Sequence, residues 1–166
     1  MKVLQSVVFL CLLSSSFTVH AQEMNNSKLD EIFKTVCDSV SGGNGVWEFQ
    51  LDSLKMLCIT DQVNNRMRII SPVAELKDIS QEQIMEAMEA NFHSALDVKY
   101  AIANDIMWVA FIHPLRELTE FQVVSAVTQV FNARITFGTL YTSTELTFPN
   151  RKKEEEARKK KKLKKS

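Results

Sequence analysis

The sequence predicts a single α+β domain in α-β-β-β-α-β-β-α order, an antiparallel sheet with helices packed on it. Three observations carry this. Apolar residues recur at helical spacing in three segments and at strand spacing in five. Two Ser/Thr-x-x-Gln capping boxes, Ser80 with Gln83 and Thr119 with Gln122, announce helix starts. Short Asp- and Asn-bearing turns separate consecutive strands, as antiparallel pairing requires. A length of 166 residues suits one such domain.

The first helix is expected in SKLDEIFKTVCDSVSGG. Leu29, Ile32, Phe33, Val36, Cys37 and Val40 share one face, Ser27 caps the start, and Gly42 and Gly43 end it. Trp47, Phe49 and Leu51 then alternate with polar residues, which predicts a half-buried strand with Trp47 available as an anchor for a partner. Asp52-Ser53 offers a turn into an apolar strand from Lys55 to Thr60. Arg66 to Val73 reads as a third strand, which Pro72 stops or places at an edge. A sheet edge near Trp47 or Pro72 suits a partner strand.

A second helix follows Ser80, with Ile84, Met88 and Phe92 as its apolar stripe. Val98 to Ala103 and Ile106 to Ile112 form a hairpin about Asn104-Asp105, with the second strand central and Trp108 in the core. The third helix opens at Thr119 and buries Val123, Val124, Val127, Val130, Phe131 and Ile135, with Gly138 ending or bending it. The stretch TLYTSTELTFP is Thr-rich and open to either state.

Three segments flank or make up this domain. Residues 1–21 read as a signal peptide: Lys2, a short apolar run from Val7 to Leu13, and a cut after Ala21. The run is too short to span a bilayer, and the expected location is periplasmic or secreted. Residues 22–149 form the domain. Residues 150–166 form a basic tail, disordered or partly helical. From Arg151 to Ser166 ten basic residues face three Glu, a net +7; residues 22–150 hold nine basic and seventeen acidic residues, a net −8. An acidic body with a basic appendage points to an anionic membrane or polymer held by Arg158, Lys159, Lys160, Lys161, Lys162, Lys164 and Lys165, or to the tail folding back on the body. Glu154–Arg158, Glu155–Lys159 and Glu156–Lys160 are spaced to support a helix. Nucleic acid is disfavoured, because the tail carries no aromatic residue for stacking.

Catalytic chemistry finds no converging groups. His93 and His113 lack a second ligand at metal spacing, no nucleophile elbow is present, and the Gly residues make no phosphate loop, so neither enzyme activity nor a cofactor is expected. Cys37 and Cys58 are either one disulfide or two buried thiols. Met56, Met67, Met85 and Met88 are soft side chains suited to an adaptable partner surface, and equally to ordinary core filling.

The RIISPV strand, the ANFHSALDVKYAI helix-to-strand passage, the IMWVAFIHPL strand and the helix opening with LTEFQ together resemble the type III secretion chaperones of the Tir-chaperone kind and the YbjN-like proteins. The resemblance spans roughly residues 27–140. It implies a type III secretion chaperone-like fold and a small acidic protein, often a homodimer, that binds a protein or peptide segment without catalysis. The leader and the Lys-rich tail are additions to that pattern.

Overall fold

A computed structural model describes residues 23–144. The elements are α1 (Asn26–Val36), β1 (Ser39–Gly43), β2 (Val46–Leu51), β3 (Leu54–Asp61), β4 (Arg66–Glu75), α2 (Gln81–His93), β5 (Val98–Ala103), β6 (Ile106–His113) and α3 (Glu120–Ile135), with a 3-10 turn at Leu76–Asp78. The strands make one antiparallel sheet of six in the order β1-β2-β3-β4-β6-β5.

The added strand is β1, which corrects the expected element order to α-β-β-β-β-α-β-β-α. The first helix ends at Val36, where Cys37 turns extended and its N–H closes on the Phe33 carbonyl. Ser39 to Gly43 then pairs with β2 across a two-residue turn, Asn44-Gly45, both at positive φ. Asn-Gly is the strongest short hairpin signal. It wins here because Val40 fits the sheet's period as well as the helix's. The N-cap is Asn25, accepting from the Lys28 N–H, rather than Ser27. The two capping boxes form as expected, with the Gln83 and Gln122 amides reaching back to the Ser80 and Thr119 N–H groups.

Pro72 does not stop its strand, but it lies beyond Ile70, where β4 has β6 alone beside it and is locally an edge. β4 runs on to Glu75, paired with β3 as far as Ile70 on one side and with β6 on the other. Proline is tolerated because the β3 ladder ends at Ile70 and the register with β6 shifts between Pro72 and Ala74. α3 ends at Ile135, and Gly138 at φ +78° lies in the turn beyond it. Residues 136–144 form no helix or strand.

α1 and α3 cover one face of the sheet, and α2 lies along the β5 edge. The covered face carries Trp47, Cys58, Ile69, Phe111 and Val98 in one register row across five strands, all buried. Phe33 of α1 stacks on Phe49 at 4.6 Å and meets Trp47 edge-on at 5.8 Å. α3 buries Val123, Val127 and Val130 over the centre, and the Tyr100 hydroxyl donates to the Ala133 carbonyl at 2.7 Å. Truncating Phe33→Ala therefore opens a cavity under α1 and should cost about 3–5 kcal/mol. Val63→Ala, at an exposed turn position, should stay within about 0.5 kcal/mol. Urea denaturation midpoints at constant slope check both.

Candidate protein-binding surface

Because side chains alternate across a strand, burying one face commits the other to solvent unless something covers it. No described element covers it here. Two register rows cross this open face: Val46, Ile59, Arg68 and Ile112 in one, and Glu48, Leu57, Ile70, Ala110 and Lys99 in the next. Val46 is 51% exposed and Ile112 60%. Trp108 stands on the same face beside them, half-buried, with its indole N–H donating to the Ala103 carbonyl at 3.1 Å. An apolar surface of this extent on a sheet marks an interaction site rather than ordinary surface scatter.

Its charges lean positive. Lys55, Arg66, Arg68 and Lys99 share it with Glu48, Asp61 and Glu75, the last already paired with Lys77. Lys55 and Glu48 approach to 3.8 Å, and both Asp61 oxygens are taken up by Asn64, which holds the Asp61 carboxyl below its ordinary range. Arg68, in the middle of the apolar rows, has no ion-pair partner among the described residues. At one end of the sheet, on the side that α3 covers, an open cavity of about 450 Å³ lies between the β2–β3 turn and α3, lined by Leu54, Pro72 and Phe131 and edged by Lys55 and Arg134.

The two sheet edges are treated differently. In an antiparallel ladder, residues alternate between pairs that exchange hydrogen bonds and pairs whose N–H and C=O point away. At the β5 edge the outward groups of Tyr100 are both occupied: its N–H donates to Asn91 Oδ1 at 2.7 Å, and its carbonyl accepts from Asn91 Nδ2 at 3.1 Å. One side-chain amide stands in for a neighbouring strand, and the Val98 N–H turns back to Ala95. At the other edge, the pair Gly43–Val46 closes the tight hairpin, so the alternation turns Val40 and Gly42 outward. No described residue pairs with that side of β1. Ser39, Ser41 and Gly42 are exposed and small, without the charge or proline that usually guards an edge.

The expected site residues fall on different sides of this division. Trp47 is buried at 1% exposure, packed on Phe33, with its indole N–H donating to Asp30 at 3.1 Å. It is a core residue, and Trp108 takes the accessible position instead. Alternation identifies two faces without saying which one the helices cover, and the core takes Trp47 rather than Trp108. Met56 and Met67 are likewise buried on the covered face and offer no contact. Met85 and Met88 lie exposed on α2. The stripe expected at Ile84, Met88 and Phe92 is displaced: α2 buries Ala87 and Ala90, and Phe92 is 87% exposed. The tail cations and the leader lie outside the described residues.

Cys37 and Cys58 are free thiols rather than a bridge. Burial pushes the Cys58 thiol up to about 12 and, with the Asp38 charge adding to it, Cys37 up to about 11. Burial also raises Tyr100, whose ring joins Phe137 and Tyr141 in an aromatic trio, and it raises Tyr141 to about 12, with the Glu86 carboxylate contributing. All four groups hold their protons more tightly when folded. Between the ordinary thiol value near 9 and the folded values the unfolded chain has lost protons that the native chain keeps, so stability must fall as pH rises. Denaturation midpoints should therefore decline steadily from about pH 9 to 12, while the buried Cys58 should react slowly with thiol-specific reagents at pH 8 until denaturant is added. A flat midpoint across that range would contradict the buried placement of these groups.

No family model matches the sequence, and no curated protein matches it. Solved structures do match. The Yersinia pestis type III secretion chaperone SycH, in complex with a stable fragment of YscM2, superposes with a TM-score of 0.53 at 13% identity, over 68% of this chain and 98% of that one. The HopA1–SchA chaperone–effector complex superposes with a TM-score of 0.54 at 12% identity, over 67% of this chain and 90% of that one. Both are similar in fold at an identity too low to carry function. The six-stranded sheet with helices on one side is therefore the type III secretion chaperone-like fold.

Proposed function

We propose that this protein is a non-catalytic, chaperone-like binding module that captures an extended segment of another protein along β1 and the open sheet face. The observation that carries this is the unguarded outer edge of β1 beside an uncovered apolar face. An added strand gains main-chain hydrogen bonds from Val40 and Gly42, and its alternate side chains extend the rows that begin at Val46 and Glu48. The excess of Lys55, Arg66, Arg68 and Lys99 favours a segment that carries Asp or Glu among its apolar residues. Matching solved structures that are chaperone complexes with protein fragments supports the reading at the level of fold. The leader-like residues 1–21 support export, so the partner is an envelope or secreted protein and not a cytoplasmic one.

The edge is tested with a displayed library of random peptides panned on the full chain. Enriched sequences should alternate apolar with polar or acidic residues. Val40→Pro removes one outward N–H and Ser41→Lys guards the edge, so each should weaken the selected peptides at least about tenfold. Phe121→Ala, exposed on the first turn of α3, should leave them unchanged. Equal binding by the wild-type chain and both edge variants sinks strand capture.

The reading includes a homodimer, as the resemblance to type III secretion chaperones implies. Light scattering on the eluting full chain should give twice the chain mass of 18.9 kDa, less any cleaved leader. A monomer at every concentration removes the dimer and leaves strand capture standing.

A further inference from the structure

α2 carries two adjoining stripes that stay exposed in the described fold. Met85, Met88 and Phe92 stand at i, i+3 and i+7, on one side of the helix, and they are 56%, 39% and 87% exposed. Beside them run Glu82, Glu86 and Glu89, all exposed, and the helix contains no Lys or Arg. An apolar stripe edged by three carboxylates fits a basic segment with some apolar residues. The open sheet face, with its cationic excess, repels such a segment.

The chain delivers one to this helix. Gly138 lies against Gln83 in the first turn of α2. Ser94, the C-cap of α2, donates from its hydroxyl to the Tyr141 carbonyl at 2.6 Å, and its own carbonyl accepts from the Ser143 N–H at 3.2 Å. The backbone thus travels the length of α2, and the described residues finish at Thr144, near the end of α2 where Phe92 is exposed. Residues 145–166 hold ten basic and four acidic residues, together with Leu146, Phe148 and Leu163. The 13 residues of α2 measure about 20 Å. The 22 residues that follow Thr144 span about 33 Å even at the helical rise, and more if extended.

We propose that residues 145–166 dock in cis on α2, with the basic residues against Glu82, Glu86 and Glu89 and the segment covering Met85, Met88 and Phe92. The inference does not depend on strand capture, which uses the opposite end of the sheet.

A nitroxide on Ser166→Cys in the full chain, with Cys11→Ser, reads the contact directly. Cys37, which is only partly buried, is replaced by Ser as well, and the fully buried Cys58 is left in place. At low salt the amide signals of residues 82–93 should be broadened at least about threefold more than those of β2, and about 0.5 M salt should relieve it by screening. Glu82→Lys, Glu86→Lys and Glu89→Lys together should relieve it equally; should that variant misfold, the salt series on the unaltered helix gives the decision alone. Equal broadening of α2 and β2, or broadening insensitive to salt, overturns the proposal. So does broadening seen only when isotope-labelled chains are mixed with separate spin-labelled ones, which places the segment on a second copy.

Discussion

The organising constraint is that a six-stranded sheet is covered on one side only. The row Trp47, Cys58, Ile69, Phe111 and Val98 lies under the helices, and the pleat then leaves Val46, Leu57, Ile59, Ile70 and Ile112 facing away from them. Shifting any strand by one residue would exchange the two sets. The register is therefore pinned from the covered side: Phe33 against Phe49 and Trp47, and Tyr100 against Ala133. The apolar character of the open face must then come from something other than the demands of this domain's own core.

The edges follow the same logic of selective closure. Asn91 spends both halves of its amide on Tyr100, which removes the β5 edge as a place for another strand. Closing an edge with one side chain from a neighbouring helix is inexpensive, because Asn91 already faces β5 from α2. β1 has no helix in a comparable position, since α1 leads directly into it and lies across the covered face. An edge that is both unguarded and continuous with an uncovered apolar face is a hazard for a protein with no partner. Its persistence beside a guarded edge is the physical reason to regard it as a site.

How much of this was legible in the sequence depended on whether a signal was local. The capping boxes at Ser80 and Thr119 and the Asn104-Asp105 turn were readable because each is a complete arrangement within a few residues. β1 is hidden in the sequence because Val40 satisfies two periods at once, and only the Asn44-Gly45 turn distinguishes them. The site was less legible than the fold. Whether Trp47 or Trp108 is accessible depends on which side the helices choose, and that is a tertiary fact. α2 illustrates the same limit: its most apolar residues, Met85, Met88 and Phe92, stay outside while Ala87 and Ala90 go in. Small residues allow the helix to approach Tyr100 closely enough for the Asn91 amide to bridge, and that close approach is invisible to a count of hydrophobicity.

Two uncovered apolar surfaces on one small domain raise the question of whether a single partner spans both. Their charges argue against it. Lys55, Arg66, Arg68 and Lys99 give the sheet face a positive excess, whereas α2 presents Glu82, Glu86 and Glu89 with no cation among them. A segment complementary to one is repelled by the other, and at the roughly 8 Å screening length of physiological salt that repulsion is felt only near each surface. Opposite charge therefore sorts ligands locally, without any conformational coupling. The chain's near-zero net charge conceals this arrangement, because the tail's positive residues offset an acidic body. The described chain leaves the domain at the acidic helix and not at the cationic sheet, so the basic residues that follow in sequence start beside the surface whose charge they complement.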